Sequence, residues 1–365
     1  MTITIVAGAR PNFMKIAPII DAIKAKKSQG VAIDFRLVHT GQHYDKNLSD
    51  TFFEELNIPY PDTNLEVKSG SQAEQTAAIM IGFEKELKEH PCDLVMVVGD
   101  VTSTMACAIV AKKAGIRVAH VEAGIRSGDM DMPEEINRMV TDSITDYFFT
   151  TSTYANQNLK QLGFSDEQIF FVGNVMIDTL RKNESRLKQP KLWIDLGLRE
   201  KNYFVMTLHR PSNVDEEQKL KSLIAQLVTL AGGLQIVFPV HPRTKKLLQD
   251  MDLAFENLHY VDPLGYLEFN YLVKNALAVL TDSGGITEET TVMDVPCITL
   301  RENTERPETC TIGTNVLVGN DPKKIADAFQ NLLVGNWKSG ATPELWDGRA
   351  AERIVNHLVK IFGLG

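Results

Sequence analysis

Residues 94–121 of the chain read LVMVVGDVTSTMACAIVAKKAGIRVAHV, two short apolar runs on either side of a longer segment. The runs at 94–98 and 118–121 consist mainly of Val, Leu, Met and Ala, which is typical of strands covered on both faces, as in parallel sheets. The intervening segment, 103–113, has the length and composition of a helix. A strand, a helix and a second strand in this order form a right-handed crossover between parallel strands. The stretch therefore predicts an α/β fold.

The same alternation continues through most of the 365 residues. In the first half, it predicts strands at 3–7, 35–39, 94–98, 118–121, 147–149 and 169–172, and helices at 11–27, 72–88, 103–113, 133–144 and 153–162. In the second half, it predicts strands at 204–208, 235–239, 258–261, 278–280, 297–300 and 315–318, and helices at 216–230, 286–293, 322–333 and 350–362.

Two blocks of this alternation predict two doubly wound, Rossmann-like domains. We place the first domain at 1–173 and the second at 174–349, because a strand ends near residue 173 and a charged, proline-containing stretch follows at 181–190. The C-terminal helix within 350–365 could pack on either domain. Ligands of open parallel sheets bind at the carboxyl ends of the strands, so we expect the domains to face a central cleft.

Charge and hydropathy disfavour several classes of function. The 38 basic and 47 acidic side chains give a net charge of −9, which disfavours broad binding to nucleic acids or anionic membranes. No apolar run approaches the ~20 residues that a bilayer span requires, and the N-terminal run is too short for a signal peptide. The four cysteines, Cys92, Cys107, Cys297 and Cys310, form no CxxC pair and are interpreted as buried small residues of a reducing compartment. We therefore expect a soluble cytoplasmic protein.

The first glycine-containing turn is a candidate phosphate site. The strand at 3–7 leads through Gly8 into a helix that carries Arg10, Pro11 and Lys15 near its start. Pro suits the first helical position, and the unpaired N–H groups of a helix start attract an anion. The alternative is an ordinary strand-to-helix turn with two solvated cations.

A second turn of this kind lies in LTDSGGITEE at 280–289. Gly284 and Gly285 allow a ligand to approach the backbone closely, and Ser283 either binds a phosphate or caps the helix. The acidic residues either complement the helix dipole or, at Glu289, accept hydrogen bonds from ribose hydroxyls. A phosphate turn at the matching place in each half favours one phosphorylated ligand.

Three acidic residues follow predicted strands or begin a helix of the first half. Asp100 ends the strand at 94–98, Glu122 ends the next strand, and Glu134 begins the helix at 133–144. Adjacent parallel strands would bring Asp100 and Glu122 to one edge of the sheet, as acid–base chemistry requires. Alternatively, Asp100 caps the following helix, Glu122 pairs with Arg126, and Glu134 complements the helix dipole.

Histidine and arginine follow two strands of the second half. The segments LHR at 208–210 and VHPR at 240–243 could bind a diphosphate, or His209 could transfer a proton. The loop from Arg301 to Arg306 suits phosphate or sugar contacts, or is a charged surface loop. We predict no metal site, because no set of ligands has a suitable spacing. No GxGxxG dinucleotide fingerprint, P-loop or GxSxG motif occurs.

Taken together, these segments resemble the non-hydrolysing UDP-N-acetylglucosamine 2-epimerases. The resemblance rests on motifs that follow in order along nearly the whole chain: GARPNFMKIAPI (8–19), HTGQHYD (39–45), GD (99–100), HVEAGIRSGD (120–129), PEEINR (133–138), GNVMID (173–178), LHRPSNVD (208–215), PVHPRT (239–244), LTDSGGITEE (280–289) and ERPE (305–308). The family implies a glycosyltransferase-B-like architecture and a homodimer, with no redox cofactor and no obligate metal. It also implies interconversion of UDP-N-acetylglucosamine and UDP-N-acetylmannosamine, which supplies precursors for cell-surface polysaccharide.

The resemblance also implies roles for individual residues. The catalytic positions are matched by Asp100, Glu122, Glu134 and His209. The positions that bind the UDP-sugar are matched by Arg10, Lys15, Phe269, Ser283, Gly284, Gly285, Glu289 and Arg306. Part of a second, activating UDP-N-acetylglucosamine site of some bacterial members is matched by Gln42, His43, Arg210 and His241, whereas Lys68 stands where those members often have Arg.

The implied mechanism begins with loss of UDP, which gives 2-acetamidoglucal, and ends with its readdition. One carboxylate removes the C2 proton and a second acid protonates the opposite face, but the sequence does not assign which residue does which. Three alternatives remain: a 2-epimerase of a related UDP-sugar such as a diacetamido uronic acid, a glycosyltransferase of the same fold, and a non-catalytic UDP-sugar-binding module. The three carboxylates disfavour the last of these.

Overall fold

The computed structural model describes residues 1–41, 55–68, 70–240, 248, 251, 253 and 255–364, with the backbone alone at Arg10, Pro211 and Ser212. The chain divides into two compact units, Met1–Lys182 with Glu344–Gly365 and Asn183–Pro343. The boundary expected from the sequence, after residue 173, lies nine residues before this division. No helix in the described ranges is both long and apolar enough to span a membrane.

The first unit contains a parallel sheet with helices between its strands. Its described strands are β1 (Thr2–Ala7), β2 (Asp34–His39), β3 (Thr63–Asn64), β4 (Leu94–Val98), β5 (Arg117–Val121), β6 (Tyr147–Thr150) and β7 (Ile169–Phe171), in the order β3-β2-β1-β4-β5-β6-β7. Its described helices are α1 (Arg10–Ser28), α2 (Gln72–Glu89), α3 (Thr102–Lys113), α4 (Pro133–Ile144), α5 (Thr153–Gln161) and α6 (Val175–Asn183), which ends at the boundary between the units.

The second unit repeats this plan. Its described strands are β8 (Tyr203–Thr207), β9 (Gln235–Pro239), β10 (Leu258–Val261), β11 (Ala278–Thr281), β12 (Cys297–Thr299) and β13 (Asn315–Leu317), in the order β10-β9-β8-β11-β12-β13. Its described helices are α7 (Lys191–Asp195), α8 (Pro211–Val214), α9 (Glu217–Leu230), α10 (Tyr266–Asn275), α11 (Gly284–Val292), α12 (Pro307–Thr311) and α13 (Pro322–Leu333), preceded by a 3₁₀ turn at Glu184–Arg186. The predicted pair of parallel-sheet α/β units is confirmed.

In each unit, the strand order reverses beside the first strand of that unit. The reversal lies between β1 and β4 in the first sheet and between β8 and β11 in the second. Parallel α/β proteins bind ligands at the carboxyl ends of the strands that flank such a reversal. The turns after β1, β4, β8 and β11 are therefore the places where function is expected.

The buried strands explain why the sheets form. Every residue of β4 is buried, and its neighbours β1 and β5 bury all but their first residues. These strands are rich in Val, Ile and Leu, whose side chains pack against helices on both faces of a parallel sheet. The resulting rigid sheet fixes where each strand ends, and hence where the following turn presents its side chains.

The chain returns to the first unit at its C-terminus. The helix α14 (Ala350–Ile361) packs against α1, and its first N–H groups, from Ala350 and Ala351, donate to the Asp178 carboxylate at 3.0 and 2.7 Å. Burial raises the pKa of Asp178 to about 6, although these two N–H groups lower it. Trp346 is buried in the same segment, and its indole donates to the Thr151 carbonyl at 2.9 Å.

The cysteines match their interpretation only in part. None of the four is in a disulfide, and Cys107 and Cys297 are buried as expected. Cys92 and Cys310 are instead half-buried, so the interpretation as buried small residues was wrong for these two. Burial raises the pKa of all four thiols, which keeps them in the neutral form.

Candidate active site

Asp100 lies just beyond β4 and is held by helix α4. The Arg138 guanidinium donates to Asp100 Oδ2 from Nε at 3.0 Å and from Nη2 at 2.8 Å. The Asn137 amide donates to the Asp100 carbonyl at 2.9 Å. The N-cap position of helix α3 is held by Val101 and not by Asp100. The carboxylate is instead oriented by a buried arginine.

Glu122 lies beside it, just beyond β5, and is almost completely buried. Lys15 Nζ from α1 lies 2.6 Å from Glu122 Oε2, so the lysine assigned by resemblance to UDP binding contacts a carboxylate assigned to catalysis. This ion pair replaces the alternative pairing of Glu122 with Arg126 and contradicts the idea of Lys15 as a solvated cation. The φ angle of Glu122 is 69°, a left-handed conformation that costs a non-glycine residue about 1–3 kcal/mol.

A buried polar cluster lies next to these two carboxylates. His120 Nδ1 is 2.7 Å from Asp142 Oδ1, and Arg126 Nη1 is 2.7 Å from Asp142 Oδ2. Burial raises the pKa of the Asp142 carboxyl, but the hydrogen bond and charge of His120 and the charge of Arg126 outweigh burial and hold the pKa below its usual value. The cluster was not predicted from the sequence.

Glu134 lies in the first turn of α4 and is half-buried. Within the described residues, its side chain makes no hydrogen bond or ion pair. Its neighbour Glu135 instead accepts N–H groups from Ser127 and Gly128 at 3.0 and 3.1 Å, and is ion-paired with Arg138. The two adjacent glutamates therefore have different roles. Glu135 binds the backbone at Ser127 and Gly128, whereas Glu134 can contact a ligand.

In the second unit, His209 follows β8 and is held by Asp282, which follows β11. His209 Nδ1 is 2.8 Å from Asp282 Oδ1, and the His209 side chain is 61% exposed, whereas Asp282 is fully buried. Asp282 also accepts the backbone N–H of Arg210 and the amide of Asn213, both at 3.0 Å. Burial raises the pKa of Asp282, but the His209 contact and these donors outweigh burial and leave the pKa below its usual value.

Ser283, Gly284 and Gly285 form the start of α11. Ser283 occupies the N-cap position but its side chain makes no capping hydrogen bond, so the alternative role of Ser283 as a helix cap was wrong. The first turn of the helix carries no acidic side chain. A helix start whose N–H groups are not capped by a side chain can bind a phosphate.

The loop after β12 contacts this helix start. Arg301 Nη2 lies 2.7 Å from Glu305 Oε2, and Arg210 Nη2 lies 3.7 Å from Glu305 Oε1. Arg306 is ion-paired with Glu288 of α11. Because Arg301, Glu305 and Arg306 are all buried, the alternative of a charged surface loop was wrong.

Glu289 also points away from solvent. Its Oε1 accepts hydrogen bonds from the Tyr266 hydroxyl at 3.0 Å and from the Asn270 amide at 3.4 Å, both from α10. Burial raises the pKa of Glu289 to about 7, although these two donors lower it. Glu288 and Glu289 are thus buried partners and not solvated complements of the helix dipole. Phe269 lies on α10 and packs partly against the core of this unit.

A family model described as UDP-N-acetylglucosamine 2-epimerase matches residues 24–359. The chain belongs to this family. The membership places it among the isomerases and confirms the family that the sequence motifs resemble.

Individual relatives cover almost all of the chain. A UDP-N-acetylglucosamine 2-epimerase of Methanocaldococcus jannaschii is 41% identical, over 98% of this chain and 99% of the relative. A UDP-2,3-diacetamido-2,3-dideoxy-D-glucuronate 2-epimerase of Pseudomonas aeruginosa is 36% identical, over 99% and 100%. A crystal structure of Methanocaldococcus jannaschii UDP-GlcNAc 2-epimerase with UDP-GlcNAc and UDP has 41% identity and a TM-score of 0.88, and covers 99% of this chain and 100% of that chain.

In this member of the UDP-N-acetylglucosamine 2-epimerase family, the described candidate residues form two groups. Asp100, Glu122 and Lys15 lie at the reversal point of the first sheet, and Glu134 lies on the helix that holds Asp100. In the second unit, the candidates lie in the turns after β8, β11 and β12 or on the helices α10 and α11: His209, Arg210, Phe269, Ser283, Gly284, Gly285, Glu289 and Arg306. The candidates Gln42, His43 and His241, and the side chain of Arg10, lie outside the described residues, while Lys68 is exposed. Within the described ranges, no three His, Cys, Asp or Glu side chains are arranged to hold a metal ion.

Sequence reasoning missed the residues that hold the epimerase candidates in place. The buried face of α4 carries Glu135, Arg138 and Asp142 at helical spacing. Charged residues that recur at i, i+3 and i+7 lie on one helix face, and a buried face of that kind is unusual. This spacing was the signal that could have indicated a polar helix face against the sheet edge.

Proposed function

We propose that the chain interconverts UDP-N-acetylglucosamine and UDP-N-acetylmannosamine by inversion at C2. The observation that carries the proposal is the pair of carboxylates at the ends of β4 and β5, Asp100 held by Arg138 and Glu122 held by Lys15. Inversion at carbon requires proton removal on one face and proton delivery on the other, so two acid–base groups are needed. The names of the relatives at 41% identity support UDP-N-acetylglucosamine as the substrate.

The first half of the reaction is an elimination. The C2 proton is not adjacent to a carbonyl group, so a carboxylate alone would remove it very slowly. We propose that the C1–O bond to UDP breaks, its electron pair stays on the diphosphate, and the C2–H electron pair forms the C1=C2 double bond. One carboxylate takes the C2 proton, and the products of this step are 2-acetamidoglucal and bound UDP.

The second half reverses the elimination on the opposite face. The diphosphate oxygen adds to C1, and a second acid donates a proton to C2, which gives the epimer. The first acid then releases its proton to solvent and the second acid takes one up, so that no atoms or electrons are gained or lost. Asp100, Glu122 and Glu134 are the groups proposed for these proton transfers.

The leaving diphosphate must be stabilised while charge develops on it. We propose the start of α11 for this role, because its N–H groups carry partial positive charge and it has no acidic side chain in the first turn. His209 is proposed beside the diphosphate, oriented through Nδ1 by Asp282. Arg10, Lys15 and Arg306 are proposed as further cations for UDP.

The direct test is product analysis of the purified chain with UDP-N-acetylglucosamine alone. The proposal predicts that UDP-N-acetylmannosamine forms and can be identified by NMR. It also predicts that UDP-N-acetylglucosamine forms when the reaction starts from UDP-N-acetylmannosamine. Formation of a glycoside only when an acceptor sugar is added would favour a glycosyltransferase. Unchanged nucleotide sugar with tight UDP binding would favour a binding module.

A second substrate is favoured by one specific observation, the 36% identity to a UDP-2,3-diacetamido-2,3-dideoxy-D-glucuronate 2-epimerase. That substrate carries a carboxylate on the sugar and would undergo the same inversion at C2. A kcat/KM higher for this sugar than for UDP-N-acetylglucosamine would select it. As part of the same proposal, we assign the product to cell-surface polysaccharide synthesis. We also propose that the active form is a homodimer, and light scattering measures this oligomeric state.

A further inference from the structure

The cluster of His120, Asp142 and Arg126 has no assigned part in the proposed reaction. His120 and Asp142 are fully buried, and the Arg126 side chain is only 14% exposed. Burying charged groups costs several kcal/mol per ion, and apolar residues of similar volume often stabilise a fold equally well. The neighbouring core of the first unit is apolar, so stability alone gives no reason for a charged cluster here.

The cluster binds the backbone on both sides of Glu122. His120 lies two residues before Glu122, and Asp142 Oδ2 accepts the N–H of Gly124, two residues after it, at 3.1 Å. The Arg126 guanidinium, which contacts Asp142, also donates to the Ile125 carbonyl at 2.7 Å. These contacts fix the chain that enters and leaves the left-handed Glu122.

The cluster also binds the backbone next to Asp100. His120 Nε2 lies 2.8 Å from the carbonyl oxygen of Gly99, the residue before Asp100. The Gly99 carbonyl can only accept, so His120 donates to it from Nε2, while Nδ1 contacts the Asp142 carboxylate. One imidazole therefore joins the two turns that carry the proposed catalytic carboxylates.

The backbone here passes through three left-handed residues, and the conformation is strained at Glu122, because glycine adopts a positive φ at no steric cost. Gly99, Glu122 and Gly124 have φ angles of 71°, 69° and 77°. A Cβ atom at Gly124 would lie 2.5 Å from the Ala155 carbonyl oxygen, so the turn packs tightly against the next part of the chain. Strained backbone persists where the surrounding contacts over-determine it.

We propose that His120, Asp142 and Arg126 are positioning residues that hold Asp100 and Glu122 in the orientation required for proton transfer at C2. The inference rests on the proposed epimerase function, and it assigns to the cluster a role in the rate of the chemical steps and not in UDP binding. A displacement of about 1 Å in a catalytic group can cost about 10²-fold in rate.

The test compares His120→Gln and Asp142→Asn with a matched control, Asp146→Asn. Asp146 also accepts a backbone N–H of β5, from Val118 at 2.7 Å, but at the opposite end of the strand. For the two cluster variants, we expect kcat to fall about 10–100-fold, as for lost supporting contacts elsewhere, with UDP affinity within about twofold. The control variant should keep the wild-type kcat.

The decisive readout is the ratio of free 2-acetamidoglucal to epimerised product. If protonation at C2 becomes slower while release of the intermediate is unchanged, this ratio rises. We expect a rise of at least about fivefold, comparable with the factor by which protonation is slowed. The ratio does not depend on how much of the protein is folded, so general destabilisation would leave it unchanged.

The proposal would be overturned by any of three results: wild-type kcat in both cluster variants, a parallel loss of kcat and UDP affinity with an unchanged ratio, or failure of both variants to fold. If Asp142→Asn alone fails to fold, His120→Gln decides. A wild-type protein that makes no epimer would refute the proposed function, which is a different result from an unchanged ratio in the variants.

Discussion

Glu289 illustrates how burial decides the chemistry of a single residue. Its pKa in the folded protein, about 7, lies above the usual value of 4.5 for glutamate, because burial disfavours its charged form. Between pH 4.5 and 7, the folded state therefore binds more protons than the unfolded state. The stability contributed by this proton is fully present below pH 4.5 and is lost as the pH rises through 7.

We therefore predict that the free energy of unfolding of the wild type, minus that of Glu289→Gln, falls between pH 4.5 and 7. The fall should be at most ~3 kcal/mol, since each pKa unit corresponds to ~1.4 kcal/mol. Denaturant titrations at several pH values measure it. Glu84→Gln, at an exposed position of α2, is the control and should show no such dependence. If the difference in free energy of unfolding stays constant across this pH range, the raised pKa of the buried Glu289 is contradicted.

The carboxylates of the first unit make a second prediction at this scale. In Asp100→Asn, Glu122→Gln and Glu134→Gln, the shape of the side chain is kept while its basicity is lost. We expect turnover to fall by ~10²–10⁴-fold, which is typical of lost acid–base catalysis, with UDP affinity nearly unchanged. Kinetics and calorimetry with UDP provide the measurement, again with Glu84→Gln as control. Wild-type rates in all three variants would refute the catalytic assignment, and a large loss of UDP affinity would assign them to binding.

The placement of these carboxylates could be predicted, but their partners could not. The ends of adjacent parallel strands must meet at one edge, which put Asp100 and Glu122 together from sequence alone. Arg138 lies 38 residues from Asp100, and Lys15 lies 107 residues from Glu122. Local spacing suggested Arg126 for Glu122 instead, because sequence distance says nothing of which helix packs over a strand end.

At the scale of elements, the start of α11 depends on the absence of a side chain. A Cβ atom at Gly284 would lie 2.6 Å from Glu305 Oε1, which is closer than real Cβ contacts. Glu305 would have to move, and it is the partner of the buried Arg301. An alanine at this position would therefore displace the Glu305 carboxylate from its place at the helix start.

We predict that Gly284→Ala weakens UDP binding at least ~10-fold, which corresponds to ~1.4 kcal/mol. The matched control is Gly82→Ala in α2, where the added Cβ meets only Leu65 at ordinary contact distances of 3.5–3.6 Å. Alanine favours a helix interior over glycine, so the control should keep UDP affinity and gain up to ~1 kcal/mol of stability. Calorimetry with UDP measures both variants, and equal UDP affinities would contradict the role of this turn.

The long elements were predictable and the short ones were not. The bounds of β4 and α4 equal those predicted, because a continuous apolar run and a strongly amphipathic pattern are clear signals. The helix α10, YLEFNYLVKN, was not predicted, since its aromatic and β-branched residues have modest helix propensity and it is stabilised by packing of its apolar face. The helices α8 and α12 have only four and five residues, too few for a periodic pattern.

At the scale of the whole molecule, the first unit is built from two segments that are separated in the sequence by the second unit. The segment that begins at Glu344 belongs to the first unit, although it follows the second unit, Asn183–Pro343, in the sequence. The sequence could not decide this, because an amphipathic helix shows that it needs an apolar partner but not which one. The Asp178 carboxylate and the Trp346 indole are the specific contacts that fix it.

We predict that Trp346→Ala destabilises the first unit by ~3–5 kcal/mol, the usual cost of removing a buried tryptophan. Hydrogen exchange should become faster in Met1–Lys182 and in the C-terminal helix α14. Trp337→Ala is the matched control, because this indole also donates to a carbonyl, that of Thr314 at 2.9 Å, but in the second unit. Faster exchange confined to the second unit in Trp346→Ala would contradict the assignment of the return segment.

The central claim, that UDP leaves and returns while C2 changes configuration, is tested most directly by the fate of the C2 hydrogen. The wild-type chain is incubated with UDP-N-acetylglucosamine in D₂O, and NMR of this one sample shows whether the product carries protium or deuterium at C2. The account predicts that UDP-N-acetylmannosamine forms with deuterium at C2, because the second acid, which carries deuterium taken up from D₂O, delivers the new hydrogen to C2. Epimerised product that retains protium at C2, or no epimerised product at all, would contradict the account.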